Sequence, residues 1–154
     1  MTGSPWKQRP DYERILFPTD GSRDARVALL ELVPLALSTG ATVVVLEVVP
    51  AGDDDARSAA TDRQKGARRQ LELAEVASVE CVVEDGQPGP AIVAAAERRA
   101  CDVIVMATHG RTGLHRVLLG SVAEYVLRHD PCPVLLVPAT TRRRSGASVP
   151  GARP

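Results

Sequence analysis

Val103-Ile104-Val105-Met106-Ala107-Thr108-His109-Gly110-Arg111-Thr112-Gly113-Leu114-His115-Arg116-Val117-Leu118-Leu119-Gly120-Ser121 decides how the chain is read. Its first five residues form an unbroken apolar run, the length of one strand buried on both faces. The run ends in a polar, glycine-bearing turn from Thr108 to Gly113. A third glycine, Gly120, stands beside Ser121 where a helical pattern resumes. A strand, a glycine-containing loop and a Gly-Ser pair opening a helix are how an α/β protein builds an anion site. Glycine lets the backbone approach a phosphate, and the helix start presents N–H groups with no intrahelical partner. The same glycines would serve a loop that merely turns, so the spacing alone leaves both readings open.

Outward from this stretch, strands and helices alternate. On its N-terminal side, Ala91 to Ala100 reads as a short helix, preceded by a turn from Glu84 to Pro90 and a third strand, Val76 to Val83. Thr42 to Val49 is a second strand, apolar on both faces except at Glu47, which lies near the end where strands meet solvent or ligand. Between these strands, Asp53 to Ser58 reads as a mobile loop and the rest, to Leu73, as a solvated helix. The first strand is Ile15-Leu16-Phe17, stopped by Pro18-Thr19-Asp20-Gly21-Ser22. Its helix carries Ala25, Ala28, Leu29, Leu32, Leu35 and Ala36 on a 3.6 period, with Ser22 or Asp24 as cap and Gly40 as stop. Pro34 is expected to kink or loosen it. On the C-terminal side, a helix runs from Gly120-Ser121 through Val122, Tyr125 and Val126 to His129. Pro131 and Pro133 then frame a last strand, Val134 to Val137.

This alternation predicts an α/β fold, an open five-stranded parallel sheet with helices on both faces. Right-handed crossovers leave few strand orders, and 3-2-1-4-5 places the first and fourth strands side by side at the turning point. Ligands in open α/β sheets bind outside the carboxyl ends of the strands there. Thr19-Asp20 and His109-Gly110 are therefore expected to face one crevice.

At 154 residues with 44% apolar content, one domain with a proper core is expected. Residues 1–11 read as a flexible arm, 12–138 as the domain and 139–154 as a disordered, arginine-bearing tail. A formal net charge of zero gives no global field to draw nucleic acid or an anionic membrane. No apolar run approaches the roughly 20 residues that span a bilayer, and Met1 to Pro10 carries no signal-peptide core. Cys81, Cys101 and Cys132 are odd in number, lack CxxC spacing and sit in or beside apolar runs. They read as buried reduced thiols, and the cytoplasm is the expected compartment.

Two nucleotide motifs are missing. No lysine stands beside the glycines as a P-loop requires, and Asp20-Gly21-Ser22-Arg23-Asp24 carries no GxGxxG after the first strand. A mononucleotide-style site remains. Asp20 can accept hydrogen bonds from a ribose hydroxyl or an adenine amine, with backbone N–H groups of Gly110, Gly120 and Ser121 on the phosphates. Asp20 could equally bond its own turn, and Ser121 could simply cap its helix. His109 and His115 have no third ligand at metal spacing. No Ser-His-Asp order, paired carboxylates or phosphoryl-neutralising lysine marks catalysis.

Residues 13–138 resemble the universal stress protein family. The resemblance rests on Ile15-Leu16-Phe17-Pro18-Thr19-Asp20-Gly21-Ser22, on Gly86-Gln87-Pro88, and on Asp102 to Gly113. It continues in Leu118-Leu119-Gly120-Ser121-Val122-Ala123-Glu124 and Pro131-Cys132-Pro133-Val134-Leu135-Leu136-Val137. It implies a Rossmann-like fold of the adenine nucleotide alpha hydrolase-like type. Members that bind ATP resemble G-x2-G-x9-G-[ST]; Gly110, Gly120 and Ser121 match, and Ala107 replaces the first glycine, where a methyl could crowd the nucleotide. The resemblance implies that Pro18, Thr19 and Asp20 meet the adenosine and that Val48 and Met106 line the adenine. Gly110, Gly113, Gly120, Ser121 and Val122 would surround the phosphates, with Arg111 as a point contact and Mg²⁺ arriving with the ATP. The implied function is a nucleotide-responsive regulator of the stress response, with no catalytic residue and at most weak ATP hydrolysis. A homodimer through the edge Val134 to Val137 and an unknown protein partner are expected. The alternatives are a nucleotide-free interaction protein working through dimerisation, and a slow ATPase.

Overall fold

In the computed structural model, residues 11–109, 119–129 and 131–138 are described. The apolar runs become five parallel strands: β1 (Arg14–Pro18), β2 (Thr42–Val49), β3 (Val79–Asp85), β4 (Val103–Ala107) and β5 (Val134–Val137). Among the described residues, four helices connect them: α1 (Arg23–Thr39), α2 (Asp54–Leu73), α3 (Pro88–Arg98) and α4 (Ser121–His129). The sheet order is β3-β2-β1-β4-β5, as expected from right-handed crossovers.

Strand alternation divides the core in two. Ile15, Phe17, Val43, Val45, Val103 and Val105 face one way and pack with Ala28, Leu29, Leu32 and Ala36 of α1 and Leu71 of α2. Leu16, Val44, Leu46, Ile104 and Met106 face the other way, against Ile92, Ala95 and Ala96 of α3 and Ala123 and Val126 of α4. The amino end of the sheet is closed by polar contacts. Asp102 Oδ2 accepts from the N–H groups of Glu13 and Arg14, both at 2.8 Å, and the Arg14 guanidinium forks onto Glu80. The carboxyl end is left for a crevice.

Helix ends follow local chemistry. Ser22 caps α1 by accepting from Ala25 N, and Gly40, left-handed at φ 72, stops it by donating to Ala36 O. The loosening expected at Pro34 does not divide α1. Leu30, whose carbonyl loses its helical donor there, lies on the exposed face of α1.

Four sequence expectations need correction. Asp53 to Ser58 is not a loop: Asp53 Oδ1 accepts from Ala56 N at 2.8 Å, and Asp54 and Asp55 occupy the first turn of α2. Acidic groups there complement the positive end of the helix dipole. Val76 does not begin β3. It closes α2, donating to Leu71 O after left-handed Glu75 (φ 65), and β3 starts at Val79. The third helix begins at Pro88 rather than Ala91, because proline at the first helical position costs no hydrogen bond and presets φ. The cysteines are all reduced thiols, but only Cys101 is fully buried; Cys81 and Cys132 are partly exposed. Burial pushes the Cys101 thiol above its ordinary value.

Candidate functional site

At the boundary between β1 and β4 the chain leaves the sheet on opposite faces, into α1 and towards α4, and a crevice opens between them. Its cavity is about 250 Å³. Leu46 and Val48 of β2, Met106 of β4, Ile92 of α3 and Val122 of α4 give it an apolar slot. Thr19 and Asp20 form one polar lip, and the start of α4 forms the other. Of the residues expected at the site, Pro18, Thr19, Asp20, Val48, Met106, Gly120, Ser121 and Val122 all border this one cavity. Gly110, Arg111 and Gly113 lie outside the described residues. Pro88 and Ile92 were missed as lining residues; the signal was the apolar period that follows Gly86-Gln87-Pro88.

Thr19 continues the sheet, its N–H donating to Leu46 O at 2.8 Å. The turn after it is built by its own side chains. Thr19 Oγ1 accepts from Gly21 N at 3.1 Å and Asp20 Oδ1 from Ser22 N at 2.9 Å, with Gly21 at φ 74, where glycine is unstrained. Asp20 therefore holds the turn while bordering the crevice.

Gly120 has a different part from the one its motif suggests. Its N–H, expected to serve phosphate, donates to Thr108 O at 2.9 Å, and its carbonyl accepts from Glu124 N at 2.9 Å. Gly120 is thus the cap residue of α4, and Ser121 is the first residue inside the helix rather than its cap. A Cβ on Gly120 would lie 2.8 Å from Thr108 O, so the glycine allows a close approach of two backbones. The first-turn N–H groups that no carbonyl of α4 can satisfy belong to Ser121, Val122 and Ala123, all of which border the crevice. Thr108 Oγ1 and His109 Nδ1 lie 3.0 Å apart on the adjoining wall.

Ala107 also borders the crevice, but its side chain packs with the α1 face of the core, opposite to Met106. Glu47 does not reach the site either. It is 3% exposed, on the α2 side of β2, where Arg63 Nε donates to Oε1 at 2.8 Å and the Arg63 terminal nitrogen donates to the same oxygen. Among the described residues, no cluster of three or more histidine, cysteine or acidic side chains could hold a metal, and no helix is long and apolar enough to cross a membrane.

A doubly wound sheet of this order, with an apolar slot and a helix start facing each other at the switch point, defines the class of α/β proteins with a crevice suited to a mononucleotide. The sequence model of the universal stress protein family matches residues 11–138, and the chain belongs to that family. Universal stress protein MJ0531 of Methanocaldococcus jannaschii is 34% identical over 139 residues, covering 82% of either chain. The structure of universal stress protein UspA from Lactobacillus plantarum has a TM-score of 0.77 at 26% identity, covering 84% of this chain and 99% of that one. The universal stress protein from Archaeoglobus fulgidus in complex with dAMP has a TM-score of 0.69 at 23% identity, covering 82% and 98%.

Proposed function

We propose that this chain binds an adenine nucleotide, ATP with Mg²⁺, in the crevice between β1 and β4, and works as a nucleotide-responsive regulator in the cytoplasm. The carrying observation is the crevice itself: a slot between Val48, Ile92 and Met106, with a carboxylate at one lip and first-turn N–H groups at the other. The residues fit the group. A flat, apolar base is accepted by the slot, ribose or adenine donors by Asp20, and phosphate oxygens by the N–H groups of Ser121, Val122 and Ala123. With no ligating cluster among the described residues, Mg²⁺ would be held by the phosphates and water. The methyl of Ala107, directed into the other core, leaves the slot open. The Archaeoglobus fulgidus protein shares the fold and carries dAMP; the case for this chain rests on its own crevice.

The nucleotide acts here as a signal rather than a substrate. Dimerisation through β5 completes the proposal: among the described residues that strand pairs only with β4, and Leu135 on it is 43% exposed, an apolar edge open to a second copy. The test is calorimetric titration of nucleotide-free protein with ATP and Mg²⁺, beside Val48→Trp, which fills the slot. Saturable binding by the wild type, lost in the folded variant, supports the proposal. No binding at millimolar ATP overturns it in favour of a nucleotide-free interaction protein, and steady phosphate release would mark a slow ATPase.

A further inference from the structure

Behind the lip that carries Thr19 and Asp20 lies a second cavity, of about 290 Å³, on the α1–α2 side of the sheet. Thr19 and Ala25 border both cavities, so the β1–α1 turn and the first turn of α1 stand between them. A turn backed by open space rather than packed side chains needs another support. One side chain spans the gap. The Arg63 stem crosses Gly21 so closely that a Cβ there would lie 2.7 Å from Arg63 Cδ, and its head grips buried Glu47 through two donors on one oxygen. The far end is firm. One helical position on, buried Gln64 ties α2 to the carbonyls of Val45 and Val82.

We propose that Glu47 and Arg63 are a positioning pair: a strut from α2 that fixes the Thr19–Ser22 turn and thereby sets the nucleotide affinity of the crevice. The inference rests on the proposed nucleotide site and adds a control element on the opposite face of the sheet. Glu47 suits the part because only Oε1 is engaged; Oε2 is buried without a hydrogen-bond partner. The carboxylate is therefore held by this one contact, and losing Arg63 would leave it with none.

The experiment compares Arg63→Gln, Glu47→Gln, the double variant and Arg63→Lys, with Glu80→Gln as control. Glu80 also pairs with an arginine on the sheet, at its amino end, away from the crevice. Two readouts are taken at a temperature where circular dichroism shows every variant folded. The first is amide exchange at Ser22 and Ala25 in nucleotide-free protein, whose N–H groups bond Asp20 and Ser22. The second is the Kd for ATP. Arg63→Gln and Glu47→Gln are expected to speed exchange of those two amides about tenfold and to raise Kd about tenfold. That figure corresponds to a turn in its binding form about a tenth of the time. The double variant should be no worse than either single change, Arg63→Lys should fall between, and Glu80→Gln should move neither readout twofold. Unchanged exchange in both single variants overturns the strut; faster exchange with unchanged Kd overturns its link to the crevice. Should Arg63→Gln not fold, Glu47→Gln and Arg63→Lys decide alone. If the wild type binds no ATP, the proposed function fails and the link fails with it, while exchange still judges the strut.

Discussion

Gly120→Ala separates a glycine that shapes the loop from one that merely tolerates it. The new Cβ would sit 2.8 Å from Thr108 O, about 0.6 Å short of the ordinary contact of 3.4 Å. The neighbour is not the tip of a flexible side chain. Thr108 is held on both sides, its O accepting from Gly120 N at 2.9 Å and its N–H donating to Val137 O at 3.1 Å. Relief therefore means moving the start of α4 away from β4 and losing the Gly120–Thr108 bond. That bond contributes about 0.5–1.5 kcal/mol, and forcing a methyl into packed space costs about 1–3 kcal/mol. The entropy removed from the unfolded chain returns about 0.4–1 kcal/mol. The net is a destabilisation of about 2 kcal/mol, or roughly 4–8 °C in Tm for a chain of this size. Thermal melts by circular dichroism, with urea titration to check that the m-value is unchanged, measure it. A Tm within 1 °C of the wild type, or above it, would refute the reasoning and return Gly120 to the role of a permissive turn.

Acid stability should depend on Glu80. Hydrogen bonds from Arg14 hold its carboxyl below the ordinary 4.5, so its contribution is full above that value and is lost as pH falls through the lower, folded one. The pair is partly exposed, which limits the effect to under about 1 kcal/mol; Glu80→Gln should lower Tm at pH 7, by progressively less as pH falls below 4.5, and matter less in high salt. Ala107→Gly should leave the Kd for ATP within about threefold while costing about 0.5–1 kcal/mol of stability in urea. A tightening of tenfold or more would mean that the methyl crowds the nucleotide after all.

The sheet was legible because each strand is an apolar run of strand length, and the crossovers permit few orders. Thr42–Val49, Val103–Ala107 and Val134–Val137 have the same bounds in sequence and structure. Failures came where one residue type serves two geometries. Asp53-Asp54-Asp55 is charged enough for a loop, yet the same carboxylates cap and polarise a helix start. Pro88 and Pro90 look like breakers, yet proline is at home in a first turn. Val76 is apolar because it is buried beneath the end of α2, and apolarity alone does not tell a helix closure from a strand start. Glu47 was read as facing ligand or solvent because an acid inside a valine run looks like an exit. Its partner, Arg63, lies on the next helix, a contact that no local pattern announces.

The crevice shows why a spacing motif is a weaker guide than the faces of the strand that carries it. Ala107 stands where the motif G-x2-G-x9-G-[ST] has its first glycine, and as a string of letters that is a lost position. On the strand, side chains alternate: Val103, Val105 and Ala107 share one face, Ile104 and Met106 the other. The slot is built on the Met106 face, so the added methyl enters the α1 side of the core, where Ala107 packs. Gly120 matches the motif letter for letter, yet its own N–H is already spent on Thr108. What it supplies is closeness: without a side chain it brings the start of α4 against the end of β4, so that the next three N–H groups border the crevice. A substitution at the matching position can thus be damaging while one at the missing position is mild, because the site depends on where each Cβ points and not on how many glycines the loop contains.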